Sequence, residues 1–465
     1  MPTDCNSDRF EFARVEGRGV VAAFDGGTIT SDAGALLLGA ADRAIGLVRR
    51  FAACFVDRRA ADQVEHSVAT LVGQRVLALA LGYEDLVDHD SLRHDPVLAA
   101  TMGKLTARRA DCAPLAGKST LNRLEHAPLA EPTRYHKIGH DGALIERLFV
   151  DLFLDASKTP PEEIVLDLDA TDDPLHGAQE GRFFHGYYGC YCYLPLYVFC
   201  GDHLLVAKLR RSNIDASTGA VEEVARLVRQ IRGRWPDVRI VLRADSGFAR
   251  EALMGWCEAN AVDYVLGLAR NTRLVGEITP ELALAKSAAE KTGKAARCFR
   301  DFRYQTLDSW SRERRVVGKA EQLVDGAGKP SPNPRFVVTN LAAEAWPPRE
   351  LYERLYCARG EMENRIKECQ LDLFADRTST RAMRSNQLRL WFASMAYVLL
   401  AALRRIALPA TSLARATAGT IRRKLLKLGA LVRVSVRRVT VQMASGHPWQ
   451  RDWAIAHQFL TAAAG

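Results

Sequence analysis

Two apolar runs in this chain stop in the same way, and that ending constrains the fold more than any other feature. Ile164-Val165-Leu166-Asp167-Leu168-Asp169 closes on an acid, and so does Ile240-Val241-Leu242-Arg243-Ala244-Asp245. Both runs have strand length and strand-forming residues. Side chains alternate along a strand, so Asp167 and Asp169 share one face while Leu166 and Leu168 take the other. A carboxylate at the carboxyl end of a strand stands at the rim of a sheet, where open α/β sheets bind their ligands. The local alternative is that each Asp caps whatever helix follows.

The surrounding pattern supports a sheet. Apolar runs at 164–168, 193–200, 204–209, 238–242 and 263–268 are interleaved with helical spacing at 218–231 and 250–258. The order strand, strand, strand, helix, strand, helix, strand predicts a mixed α/β sheet with an antiparallel start. Upstream, a short strand and turn lead to Thr30-Ser31-Asp32, a helix start before the apolar run 33–38. Residues 60–155 read as mainly helical, most clearly Val68–Leu81, closed by Gly82, and Lys118–Glu125, started by a Ser/Thr cap. Downstream, 271–345 reads as a β-rich insertion with exposed strands at 296–304 and 314–318, a Gly/Pro joint, and a strand at 335–339. Helix resumes at Pro348 and continues past Glu363.

The 465 residues, 48% hydrophobic and 26% charged, suit a globular protein of two or three domains with a substantial core. The start Met1-Pro2-Thr3-Asp4 lacks the basic and apolar regions of a secretory signal. The most apolar stretch, 391–403, is too short to span a bilayer and predicts a buried helix. Ten cysteines without a Cys-x-x-Cys pair predict free thiols in a reducing cytoplasm. Cys190 and Cys192 share a strand face but have no further zinc ligands nearby. The formal charge is +9, and residues 409–465 hold nine basic residues against Asp452 alone. Such an extension suits a phosphate backbone, or is simply a solvated face.

A third acid stands in Tyr356-Cys357-Ala358-Arg359-Gly360-Glu361-Met362-Glu363-Asn364. Helical spacing lays Tyr356, Arg359, Glu363 and Lys367 along one side. Alone, that pattern also describes a salt-bridged surface helix, with Glu361 and Glu368 as equivalent charges. Asp167 is a possible supporting partner for Asp169, and Asp172 and Asp173 fall in the next turn as solvated loop acids. Hard oxygen ligands without nearby His or Cys favour Mg²⁺ or Mn²⁺ over zinc. Two such ions about 4 Å apart can activate a water or a 3′-hydroxyl and stabilise the leaving oxygen.

Asp169-Ala170-Thr171, Arg243-Ala244-Asp245-Ser246-Gly247-Phe248 and the Tyr356…Arg359…Glu363 spacing resemble bacterial insertion-sequence DDE transposases, most of all insertion-sequence family 1380. The likeness extends over most of the chain, including 30–38, 376–380 and 433–438. It implies an RNase H-like mixed-sheet core with a β-rich insertion between the second Asp and the Glu. It makes Asp169, Asp245 and Glu363 the catalytic triad and the ligands of two Mg²⁺ or Mn²⁺ ions. Tyr356 and Arg359 become DNA contacts. The family signature continues with Lys seven residues after the Glu, but Gln370 stands there, so Lys367 takes that role or no residue does. Arg433, Arg437 and Arg438 are the tail's DNA-binding candidates.

The expected organisation is a mainly helical, DNA-binding N-terminal domain at 1–155 and the first part of the catalytic core at 156–270. A β-rich insertion follows at 271–345, the helical completion of the core at 346–408, and a basic C-terminal extension at 409–465. The expected activity is binding of terminal inverted repeats, metal-dependent cleavage, and joining of 3′-hydroxyls to target DNA. The partners are double-stranded transposon ends and target DNA, with a homodimer in the synaptic complex and no membrane. The expected location is the bacterial cytoplasm, associated with the nucleoid. The aromatic stretch 183–189 can stack on bases or merely pack; His185 within it reads as structural. Trp310, flanked by Arg312, Arg314 and Arg315, stacks on a flipped base or packs inside the insertion. Two alternatives remain: a nuclease that cuts without joining, and a domesticated DNA-binding protein without chemistry.

Overall fold

The computed structural model describes residues 9–126, 133–326 and 329–464. They divide into two compact units. One comprises the chain up to Asp141 together with 372–374 and everything from Met395. The other comprises Gly142–Leu371 and Ala375–Ser394.

The second unit is mixed α/β, built on one large sheet. Its strands are β1 (Glu163–Ala170), β2 (Leu196–Cys200), β3 (His203–Lys208), β4 (Arg239–Ala244), β5 (Asp263–Leu268), β6 (Ala296–Tyr304), β7 (Arg314–Val324), β8 (Pro330–Pro332) and β9 (Arg335–Thr339). Across the sheet the order is β3-β2-β1-β4-β5-β9-β7-β6, with β8 on β7. β1, β4 and β5 run parallel; β2 and β3 enter antiparallel, as do β6 to β9.

Alternation sorts the sheet's two faces. Leu166, Leu168, Leu242 and Leu266 are all buried in one cluster with α1 (Gly142–Asp155), α2 (Ala220–Arg234) and α3 (Glu251–Ala259). The opposite face buries Val241, Val265, Val317 and Val337 against Leu351, Tyr352 and Leu355. Full burial of a Leu or Val contributes roughly 1.5–3 kcal/mol, which fixes the strand registers against a one-residue slip. The second face carries Asp167, Asp169 and Arg243, and it is the face on which the Glu363-bearing segment lies.

Several expectations are corrected here. Residues 142–155, placed in the N-terminal segment, send Val150, Phe153 and Leu154 into the core of the sheet, so the compact boundary falls at 141 instead of 155. The region 271–345 opens with two helices, α4 (Thr272–Glu277) and α5 (Thr279–Thr292), and its strands extend the same sheet. α5 buries only Ala285 and Ala289, too small a stripe to register as helical periodicity. The run 193–200 is broken at Pro195, which cannot donate to a ladder. Cys190–Tyr193 pairs instead with Asp173–Pro174 and Phe183–His185 in a small separate sheet. The apolar helix also extends well beyond 391–403: α7 (α6 is Gly360–Lys367) spans Met383–Ala407. It is long and apolar enough to cross a membrane, but 83% of its apolar window is buried inside the protein.

In the first unit, Val68–Leu81 and Lys118–Glu125 are helices as expected, joined by a buried Arg75–Glu125 ion pair of 2.8 Å, but the second starts from Gly117 without the expected Ser/Thr cap. The helix after Thr30-Ser31-Asp32 runs over Ala35–Ile45, but Asp32 does not cap it. Asp32 is buried and accepts from Tyr83 Oη at 2.6 Å while pairing with Lys427 Nζ at 2.7 Å. Gly34 is required by crowding, since a Cβ there would lie 2.2 Å from the Leu425 carbonyl oxygen. Ala430–Val434 and Val439–Met443 form a hairpin that pairs with Ile29–Thr30.

Candidate active site

Three acids from distant parts of the sequence line one cavity of about 630 Å³ in the second unit. Asp169 ends β1. Its Oδ1 accepts the Ala170 N–H at 2.9 Å, and its Oδ2 accepts from Arg359 Nη1 at 3.0 Å. Asp245 follows β4 and caps the tight turn Ser246–Phe248, Oδ1 accepting the Gly247 N–H at 2.9 Å. The capping alternative is therefore realised, but it occupies one oxygen only. Glu363 lies on α6 and accepts from Arg359 Nη2 at 2.7 Å. One guanidinium thus spans two acids that are 194 positions apart in sequence.

The helical segment from Pro348 to Leu371 is not uniform. A wide π turn at Leu351–Tyr356 and a tight turn at Cys357–Arg359 precede α6, and a second π stretch begins at Glu368. Such irregular turns recur at functional sites because they re-aim side chains. Tyr356 is directed toward β5, where its hydroxyl lies so close to Gly267 that a Cβ there would sit 2.6 Å away. The same Cβ would meet Ser246 N at 2.9 Å, so Gly267 lets Tyr356 and the Asp245 turn pack together.

The electrostatics are unbalanced toward negative charge. Burial raises the Asp169 carboxyl, the charges of Asp245 and Glu363 raise it further, and Arg359 opposes them, leaving it at about 6. Two residues earlier, Asp167 is nearly fully buried and held by Arg243, whose Nη2 donates at 2.8 Å and whose Nη1 donates to the Leu355 carbonyl. Asp167 therefore joins β1, β4 and the Glu363-bearing segment instead of facing the cavity.

A divalent cation suits the donor set, which is entirely carboxylate oxygen and carries excess negative charge. Among the described residues, however, no three His, Cys, Asp or Glu side chains lie close enough to grip one ion together. The reason is visible: Arg359 stands between Asp169 and Glu363 and does a cation's work there.

The structure also brings in an acid that sequence reasoning missed. Asp215 lines the same cavity. Burial pushes its carboxyl up, but Ser217 and Arg250 donate to it and hold it at about 2. Nothing in the sequence marks it, because five residues separate it from the apolar run 204–209. Tyr187 and Tyr188, in the turn after Phe183–His185, form a wall of the cavity with His185, and Tyr187 is 87% exposed. Lys367 and Gln370 both reach the cavity; Gln370 donates to the Asp172 carbonyl at 3.1 Å. Asp173, expected in a solvated loop, is a buried strand residue of the small sheet, and burial pushes its carboxyl well up. Trp310 is in the main core, edge-on to Tyr304 at 5.8 Å, so it packs and does not present a stacking surface. Its neighbour Arg314 is buried against Glu251 and Glu258, and Arg315 is held by Asp301.

The chain matches the family described as transposase DDE domain, group 1, over residues 12–464, and it belongs to that family. It is a DDE transposase by that membership. Among solved structures it is similar to a piggyBac transposase synaptic complex with hairpin DNA, determined by cryo-EM. The identity is 11%, the match covers 84% of this chain and 78% of that one, and the TM-score is 0.39. No curated protein matches it.

Proposed function

We propose that this chain is the cut-and-paste transposase of a bacterial insertion sequence of family 1380, with Asp169, Asp245 and Glu363 as its catalytic acids. The observation that carries the reading is their convergence, from two strand ends and one helix, on a single cavity in a member of the DDE family. The strand order β3-β2-β1-β4-β5, with β2 alone running against the other four, supports an RNase H-like core. The substrate is double-stranded DNA, first the element's terminal inverted repeats and then the target, and a homodimer holds the paired ends. The work belongs in the bacterial cytoplasm, at the nucleoid.

Asp169, Asp245 and Glu363 would hold two Mg²⁺ or Mn²⁺ ions, which supply a lowered pKa for the attacking water or 3′-hydroxyl and charge neutralisation at the phosphate. The chain's own residues do the rest. Asp245 keeps one oxygen on the Gly247 N–H, so its other oxygen has a fixed aim. Arg359 must leave both Asp169 and Glu363 to expose them, and an approaching phosphate offers it a bidentate anionic partner in their place. Lys367 lines the cavity and can neutralise a neighbouring phosphate in the place where the family signature has its Lys. The packing of Tyr356 over Gly267 supports a different role from the expected DNA contact: it props the Asp245 turn. Arg433, Arg437 and Arg438 are the DNA contacts of the first unit.

The decisive assay incubates the protein with Mg²⁺, a pre-cleaved element end and a supercoiled target. Joined molecules are expected. Hydrolysis alone would leave a nuclease, and end binding without either would leave a domesticated binder. Alanine at Asp169, Asp245 or Glu363 should lower cleavage at least about a thousandfold, as loss of a catalytic metal ligand does, and spare end binding. Persistent cleavage by Asp245→Ala would remove the site assignment.

A further inference from the structure

The C-terminal hairpin has a tip that its own fold does not explain. Ala430–Val434 and Val439–Met443 pair in register, with Ala430 opposite Met443, Val432 opposite Val441 and Val434 opposite Val439. All of these side chains lie on one face. At the base that face is buried, with Ala430 packed beside Ala33 and Leu428 and against Val441, Met443 and Trp453. Toward the tip the apolar face emerges into solvent, with Val434 57% exposed, and Val436, in the turn beyond it, is fully exposed. The other face carries Arg433 opposite Thr440.

The turn is Ser435-Val436-Arg437-Arg438, closed by Ser435 N–H to the Arg438 carbonyl at 2.8 Å and by Arg438 N–H to Ser435 Oγ at 3.1 Å. Its two central residues keep negative φ and so are not strained, but solvent-facing tight turns are dominated by Gly, Asn, Asp, Ser and Pro. Val and Arg stand there instead. Arg433, Arg437 and Arg438 are exposed, and none has an acidic partner among the described residues. No Asp or Glu occurs anywhere from Arg377 to Arg451. The arm is therefore a rigid ribbon with an apolar ridge leading to a bare valine, flanked by three uncompensated guanidinium groups.

We propose that this arm enters the minor groove of duplex DNA, with Val436 wedged at a base step and Arg433, Arg437 and Arg438 on the groove edges and flanking phosphates. Charge selects a polyanion. An apolar tip between arginines is the chemistry that unstacks a base step and bends the duplex toward the major groove. Arginine serves either groove, so it is the bare valine at the tip, not the arginines, that selects the minor groove. The inference deepens the proposed function and rests on DNA being the substrate.

The test uses the full-length protein in EDTA, so that no chemistry intervenes, with a random-sequence duplex carrying a fluorophore at each end. Wild-type protein should bind and raise energy transfer between the ends. Val436→Ala should lose most of that increase with affinity within a few-fold, and Val436→Leu should retain it. Arg437→Ala with Arg438→Ala should lower the slope of log affinity against log salt by about two, at roughly 0.9 per phosphate. Netropsin, a minor-groove ligand, should displace the wild-type protein and leave little effect on Val436→Ala bending. Thermal melting of each variant separates unfolding from lost contact. Bending by Val436→Ala equal to wild type would overturn the inference and leave the transposase reading intact. Absence of duplex binding by wild-type protein would overturn both, and the strand-transfer assay distinguishes these cases.

Discussion

Asp167 and Asp169 are two residues apart on one strand, share a face, and each meets an arginine, yet they do different things. Asp167 and Arg243 face each other across neighbouring strands, almost without exposure, and Arg243 continues to the Leu355 carbonyl. Both are committed to holding the Glu363-bearing segment on the sheet. Asp169 meets Arg359 through one contact at a cavity wall, and Arg359 is shared with Glu363. The first pair is permanent because nothing can replace either partner in the core. The second is exchangeable because a cation and a phosphate could take the two roles. Depth and number of contacts, more than residue type, separate scaffold from site.

That contrast can be broken at three points. The largest effect should come from Arg243→Ala, which leaves Asp167 buried without its cation and should cost about 3–5 kcal/mol. Denaturant unfolding would show it, and replacing Asp167 and Arg243 together by Leu and Met should recover most of the loss. If Arg243→Ala unfolds like wild type, the pair is not the clamp described here.

Asp169→Asn should go the other way. The folded state holds the Asp169 proton up to about pH 6, whereas the unfolded chain releases it near 3.8. The folded state therefore binds more protons between those values, and stability falls as pH rises through that window and stays reduced above it. Asn carries no such penalty, so this variant should gain up to roughly 2–3 kcal/mol at pH 7.5 and nothing near pH 3.5. A stability difference that does not change with pH would show that Asp169 is not held up by its neighbours.

The smallest change in stability, about 1 kcal/mol or less, is expected for Arg359→Gln. Its informative readout is calorimetric titration with Mn²⁺ at pH 8 without DNA. Removing the resident guanidinium should tighten binding several-fold. Unchanged or weaker binding would mean that Arg359 does not compete for the acids.

Much of the second unit was legible because its signals are local. A strand ending in an acid announces itself in six residues, and the mixed sheet with its antiparallel start follows from the spacing of such runs. The less legible parts depend on contacts distant in sequence. Asp215 acquires its place from Ser217 and Arg250, not from its neighbours in a pattern. Trp310 offered the same aromatic-plus-arginine signature whether stacked on a base or buried, and only Glu251 and Glu258 reveal where its arginine goes. α5 was invisible because alanines bury little. Pro195, by contrast, was a local signal capable of dividing the run 193–200.

The assembly of the cavity has a consequence in time. Asp169 and Asp245 are made early, but Glu363 and Arg359 arrive on a segment that Arg243 and Asp167 must first seat. A chain interrupted after Asp245 but before that segment, on the ribosome or by a premature stop, has the sheet's two acids and no third. Completeness of synthesis therefore decides whether the three acids ever share one cavity.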